Sequence, residues 1–158
     1  MPESSTVSDP TPAFQALVDR YDVAVSGILA NPSVAANAAD VNVATYLSLF
    51  PKDNQFAFDS LKFWVSEGQK GRFYRPGPKG VMFKTAVRKA SVISEDLARF
   101  TVCSTESITV VDGTGAPIEA SGGVHAGTIT AVMVNGVWLL RDLSEGSADP
   151  CPQPGASG

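Results

Sequence analysis

Ala131-Val-Met-Val-Asn-Gly-Val-Trp-Leu-Leu-Arg-Asp142 is the stretch that decides the fold class. Two apolar runs flank Asn135-Gly136, a pair that favours a two-residue β-hairpin because both central turn residues need positive φ. Upstream, Phe100-Thr-Val-Cys103 and Ile108-Thr-Val-Val111 read as strands, and Asp112-Gly113 closes the second. Alternation over residues 97–104 puts Phe100 and Val102 on one face, with Arg99, Thr101 and Cys103 on the other. Residues 81–92 also alternate: Val81, Phe83, Thr85 and Val87 oppose Lys84 and Arg88, as in a half-exposed antiparallel strand. Residues 72–75 can form a short strand before the turn Pro76-Gly-Pro-Lys-Gly80. Val132, Met133 and Val134 are apolar on both faces, which suits a central strand. Residues 116–123 are expected to be a mobile loop.

The chain before this sheet reads as helices. Thr11-Pro12 is a start, with Thr11 as cap and Pro12 in the first turn. Phe14, Leu17, Val18, Tyr21, Ala24, Val25 and Ile28 then fall on one helical face, until Asn31-Pro32 ends it. Asp40 can cap a second helix carrying Val43, Ala44, Leu47 and Phe50. Asp53 opens a third, with Phe58, Leu61, Trp64, Val65 and Gly68 on one stripe. Phe56 and Phe63 form a second stripe, so this helix is expected to be buried on more than one side. The plan is α+β: three N-terminal helices packed on a strongly curved antiparallel sheet.

Composition bounds the role. The 158 residues are 44% hydrophobic and 18% charged, enough for one cored domain. Residues 1–10 and 144–158 read as tails around a single domain of residues 11–143. Net charge is −4, which argues against nucleic acid as a partner. Ten of the twelve Lys and Arg lie between Lys52 and Arg99, beside five acids, so this middle is basic and the remainder acidic. No apolar run is long enough to span a membrane. The polar N-terminal residues resemble a linker following a removed signal, lipid anchor or membrane helix, although a cytosolic start would look the same. Cys103 sits mid-strand, and Cys151 lies between prolines in the tail. A bridge pinning the tail to the sheet is expected, on the Arg99 and Thr101 side, and it implies an oxidising compartment. Two unrelated thiols in a cytosolic protein are the alternative.

The order of elements, the Asn31-Pro32 break, Gly68 and Gly71 after the third helix, Val110-Val-Asp-Gly113, and Asn135-Gly-Val-Trp138 before a terminal Cys151 resemble the cystatin-like cone shared by ketosteroid isomerase and nuclear transport factor two. More narrowly, they resemble secreted or lipid-anchored actinomycete proteins of that fold. The resemblance implies a pocket between the first and third helices and the concave sheet. Tyr21, Trp64, Phe83, Phe100, Met133 and Trp138 could line it or fill it. Asp19 and Asp22 are read as pointing away from the apolar face, and no second acid falls on one. Enzymatic activity is therefore not expected, although an isomerase or dehydratase using Tyr21 is a possible reading. His125 is the only histidine, and no metal or cofactor motif is present.

The most partner-like surface is Arg72-Phe-Tyr-Arg75, with Lys79, Lys84 and Arg88 downstream. Charge reversal at Arg72 and Arg75 is expected to leave the melting temperature unchanged. The leading expectation is a non-enzymatic extracytoplasmic interaction or assembly module of the cell envelope. It would take a protein partner or self-associate, and meet the membrane only through a tether missing from this chain. A carrier for a small apolar ligand is the second reading. A filled cone with an exposed aromatic and basic patch would favour the interaction module, and an open but wholly apolar cavity the carrier. A cavity holding Tyr21 and a desolvated carboxylate would favour the enzyme.

Overall fold

The computed structural model describes residues 9–146 and 151–152. The N-terminal residues 1–8 and most of the C-terminal tail lie outside the described residues. Three helices, α1 (Thr11–Leu29), α2 (Val41–Ser48) and α3 (Gln55–Gln69), cover one face of a five-stranded antiparallel sheet. A short 3-10 turn, Pro32–Ala36, links α1 to α2. The strands are β1 (Phe73–Pro76), β2 (Phe83–Ser94), β3 (Leu97–Val111), β4 (Pro117–Val134) and β5 (Val137–Glu145). β3 is the spine: β2 pairs along its first two-thirds, β1 continues the same edge from residue 108, and β4 runs along its whole other side. β5 pairs only with residues 127–134 of β4, and the Gly146 amide reaches the Ala126 carbonyl, so the sheet does not close and residues 117–125 keep one unpaired edge.

Local chemistry explains the boundaries, with some shifts from expectation. Pro10 occupies the cap position of α1, and Thr11 is the first helical residue. The carboxylate of Asp9, two residues before the expected cap, accepts from both the Thr11 amide and hydroxyl. Asp40 caps α2 by accepting from the amides of Asn42 and Val43. Asn54, not Asp53, caps α3, accepting from the Ala57 amide; Asp53 takes a left-handed φ of 61° in the turn before it. α3 buries a single stripe of Ala57, Leu61, Trp64 and Glu67, whereas Phe63 is exposed and Phe58 largely so. Of the expected second stripe, Phe56 packs against the core beside Phe50, whereas Phe63 does not.

Asn135-Gly136 forms the hairpin turn, with φ of 51° and 80°. The two separate strands expected between residues 97 and 111 are one. Residues 116–123, expected as a mobile loop, are the start of β4 from Pro117 onward. Their small, polar side chains carry little strand propensity. The ladder to residues 106–111 of β3 supplies the pairing that their composition does not advertise.

Strand alternation sorts the sheet into two faces. Ala98, Phe100, Val102, Ser104, Glu106, Ile108 and Val110 alternate toward the helices, while Arg99, Thr101, Cys103 and Thr105 look outward. Cys103 and Cys151 are bridged on that outer face, with Cα atoms 5.7 Å apart. Among the described residues, no helix is long and apolar enough to cross a membrane.

Candidate functional site

The inner face is solid at one end and hollow at the other. At the solid end Phe14 stacks on Phe100 with ring centroids 4.4 Å apart, and Trp138 meets Phe14 edge-on at 5.4 Å. Ile129, Ala131 and Leu140 close this end, all essentially inaccessible. Toward the other end the chain offers smaller groups, and a cavity of about 570 Å³ opens between α1, α3 and the sheet.

Each wall of the cavity follows from a local pattern. α1 contributes Tyr21, Asp22, Val25 and Leu29, successive positions of one helical stripe. α3 contributes Phe56 and Trp64, and β2 contributes Phe83 and Thr85. Val102, Ser104 and Glu106 come from β3, Gly127 and Ile129 from β4, and Leu143 from β5. His125 and Glu145 line the cavity from exposed positions, at its solvent-facing side. A Cβ on Gly127 would meet Val102 Cγ2 and the Ser144 carbonyl at 3.3 Å, so glycine here lets the wall close without intruding.

Asp22 is the residue that the sequence reading misplaces. It is buried, and its carboxylate accepts from the Thr85 amide at 2.8 Å and from the Thr85 hydroxyl at 2.9 Å. The Thr85 hydroxyl also lies 3.1 Å from that of Ser104. One helical turn pair earlier, Gln15 donates to the Thr85 carbonyl and accepts from the Val87 amide. Gln15 and Asp22 thus occupy backbone groups on the edge of β2 that no strand pairs, which blunts an edge otherwise open to another chain. Spacing could have revealed this: Asp22 stands four residues after Val18 and three before Val25, inside the apolar stripe rather than beside it. Burial raises the Asp22 carboxyl above its ordinary range, and the two Thr85 hydrogen bonds only partly oppose this. Burial, followed by the proximity of Tyr46 and Asp22, drives the Tyr21 hydroxyl far up, so it stays protonated.

Of the six aromatic and thioether side chains predicted for the pocket, Tyr21, Trp64 and Phe83 line it. Phe100 is sealed under Phe14, Trp138 packs against the same ring, and Met133 pairs with Trp138 at the hairpin end. These three belong to the solid end.

The stretch from Arg72 to Arg88 is divided by the pleat. Tyr74 pairs with Val110 on the inner side, where its hydroxyl donates to buried Glu67. Arg72 donates to Glu67 at 2.7 Å and to Glu119 at 2.6 Å. Burial pushes Glu67 up, but the hydrogen bonds from Tyr74 and Arg72 and the charges of Arg72 and Lys70 outweigh it, leaving its carboxyl below the ordinary range. Arg72 and Tyr74 are therefore internal struts between α3, β1 and β4, and reversing the Arg72 charge carries a stability cost that the sequence reading did not anticipate. Phe73, Arg75 and Lys84 pair with outward-facing residues of β3 and share the outer face. The Arg75 guanidinium sits 5.9 Å from the Phe73 ring centroid and donates to the Ala30 carbonyl at the end of α1. Lys79 is exposed nearby, its amide bound to the Ser107 hydroxyl. Arg88 lies 3.6 Å from the Cys103 sulfur.

No family model and no curated protein matches the chain. Solved structures do match. The intermembrane-space region of the chloroplast protein ARC6 superimposes over 90% of this chain and 100% of its own, with TM-score 0.64 at 10% identity. A ketosteroid isomerase-like protein from Erwinia carotovora atroseptica covers 90% and 99%, with TM-score 0.55 at 9% identity. The fold is the ketosteroid-isomerase-like, cystatin-like cone. A proposed calcium/calmodulin dependent protein kinase II association domain from Xanthomonas campestris also matches, covering 90% and 91%, with TM-score 0.50 at 13% identity. At these identities the likeness carries the cone and not an activity.

Proposed function

We propose that this chain is a non-catalytic binding module of an extracytoplasmic compartment that holds a small, mostly apolar ligand in its cone. The carrying observation is the open cavity, walled by Val25, Leu29, Phe56, Trp64, Val102 and Leu143. The Cys103–Cys151 bridge supports the compartment, because such bonds persist where the surroundings are oxidising. Two of the similar structures are named as an intermembrane-space region and as a proposed association domain, names that fit a module of this kind.

Tyr21 beside a desolvated Asp22 is the arrangement that favours an isomerase-like enzyme. Against it stands the role of Asp22 at the β2 edge. Both carboxylate oxygens accept from Thr85, which commits the side chain to holding that strand edge. The assembly reading keeps one specific observation, the shared outer face of Phe73, Arg75 and Lys84.

Calorimetric titration with 1-octanol tests the binding reading. The wild type is expected to show saturable one-to-one binding. Leu143→Trp and Val102→Phe, which fill the cavity from two strands, are expected to abolish it while keeping cooperative melting. Absence of saturation in the wild type overturns the proposal.

A further inference from the structure

The cavity carries a sign as well as a shape. Three carboxylates line it, Asp22 on the inner wall and Glu106 and Glu145 further along, while no lysine or arginine does so among the described residues. Asp22 is buried, and the charge of Lys84, which acts on it, sits on β2 outside the lining. Glu106 accepts from the Ser121 hydroxyl at 2.8 Å, so a neutral hydroxyl rather than a counter-charge holds it in place. Four aromatic rings, Tyr21, Phe56, Trp64 and Phe83, complete the lining, and ring faces attract cations more strongly once water is excluded. A low-dielectric hollow lined by one sign of charge concentrates the opposite sign. The apolar wall therefore sets the body of a ligand, and the carboxylates and rings set its head.

We propose that the cone selects ligands bearing a positive charge on an apolar body, such as a protonated or quaternary amine. This rests on the binding reading above and narrows it. The acids alone would not make a site; it is their position on the wall of an aromatic cavity that gives the selectivity. An anionic amphiphile of equal length would meet three carboxylates and no compensating cation on the wall.

Three probes of equal chain length separate the possibilities: octyltrimethylammonium, 1-octanol and octanoate, titrated calorimetrically into the full chain at constant pH and low salt. The expected result is at least tenfold tighter binding of the ammonium than of the alcohol, with octanoate weakest. Glu106→Gln combined with Glu145→Gln is expected to cut the ammonium preference over octanol several-fold while cooperative melting is kept. Saturable binding of ammonium and alcohol with equal affinity overturns the charge selection and leaves the binding reading standing, as does tightest binding of octanoate. No saturation by any probe overturns both. An ammonium preference unaltered in the double variant also overturns the proposal, since the rim carboxylates would then contribute nothing.

Discussion

β3 and β4 build two different interiors from one ladder. Where Phe100 pairs with Ile129, the inner face is sealed by Phe14 and Trp138. Only a few residues along, Ser104 pairs with His125 and Val102 with Gly127, and the same two strands wall a cavity. The backbone pairing is continuous across both regions. Side-chain volume decides the difference, together with the end of β5 at Glu145, which leaves the far half of β4 with an unpaired edge. Packing and the short reach of β5 together make this cone hollow.

The contrast can be broken most directly by truncation. Phe100→Ala removes a fully buried ring from the solid end and is expected to cost about 3–5 kcal/mol in urea denaturation. Ser104→Ala, in the hollow end, is expected to stay within about 1 kcal/mol. Equal costs would mean that both ends are packed alike. The bridge gives the next largest effect. Closing a loop with a sequence separation of 48 is worth about 4 kcal/mol in the chain-entropy picture, so Cys151→Ser is expected to lower the melting temperature strongly. Because Cys103 looks outward, octanol binding by the folded variant is expected to be unchanged; lost binding would tie the outer face to the cavity.

A finer comparison lies within the basic stretch. Arg72→Glu places a like charge against buried Glu67 and is expected to cost about 3 kcal/mol. Arg75→Glu, three residues on and outward-facing, is expected to cost about 0.5 kcal/mol or less. Similar melting temperatures for the two variants would contradict the division by the pleat.

The two buried carboxylates should respond to pH with opposite signs. The Asp22 pKa is raised in the folded state, so its contribution is present below its ordinary value of 3.8 and is lost as pH rises through the folded value. Glu67 is lowered, so its contribution is present above its ordinary 4.5 and is lost as pH falls through the folded value. Chemical denaturation of Asp22→Asn between pH 3 and 7 is expected to lack the decline on the upper side, and that of Glu67→Gln the decline on the acid side. Matching profiles for the two variants would remove this distinction.

Much of the architecture was legible. Asn135-Gly136 marked its hairpin because few residues tolerate the required φ, and Asp40 marked its helix because a carboxylate satisfies free amides. The bridge followed from a cysteine that had no packing reason to sit between prolines. Residues 117–123 were hidden, since their strand state comes from β3 and not from their own side chains. Tyr74 and Arg72 were legible only through period-two alternation, which puts them inside while Phe73 and Arg75 stay out. Asp22 was overlooked because its charge outweighed its place in the stripe. The hollow itself was not readable, because it depends on which residues of six elements face one another.

The division between a solid and a hollow end is tested most directly by two-dimensional amide NMR of the wild type titrated with 1-octanol. The account predicts saturable shifts at Val25, Val102, Ser104 and Leu143, with Phe14, Ala98 and Leu140 unmoved. Shifts that never saturate, or that fall equally on both ends, would contradict it.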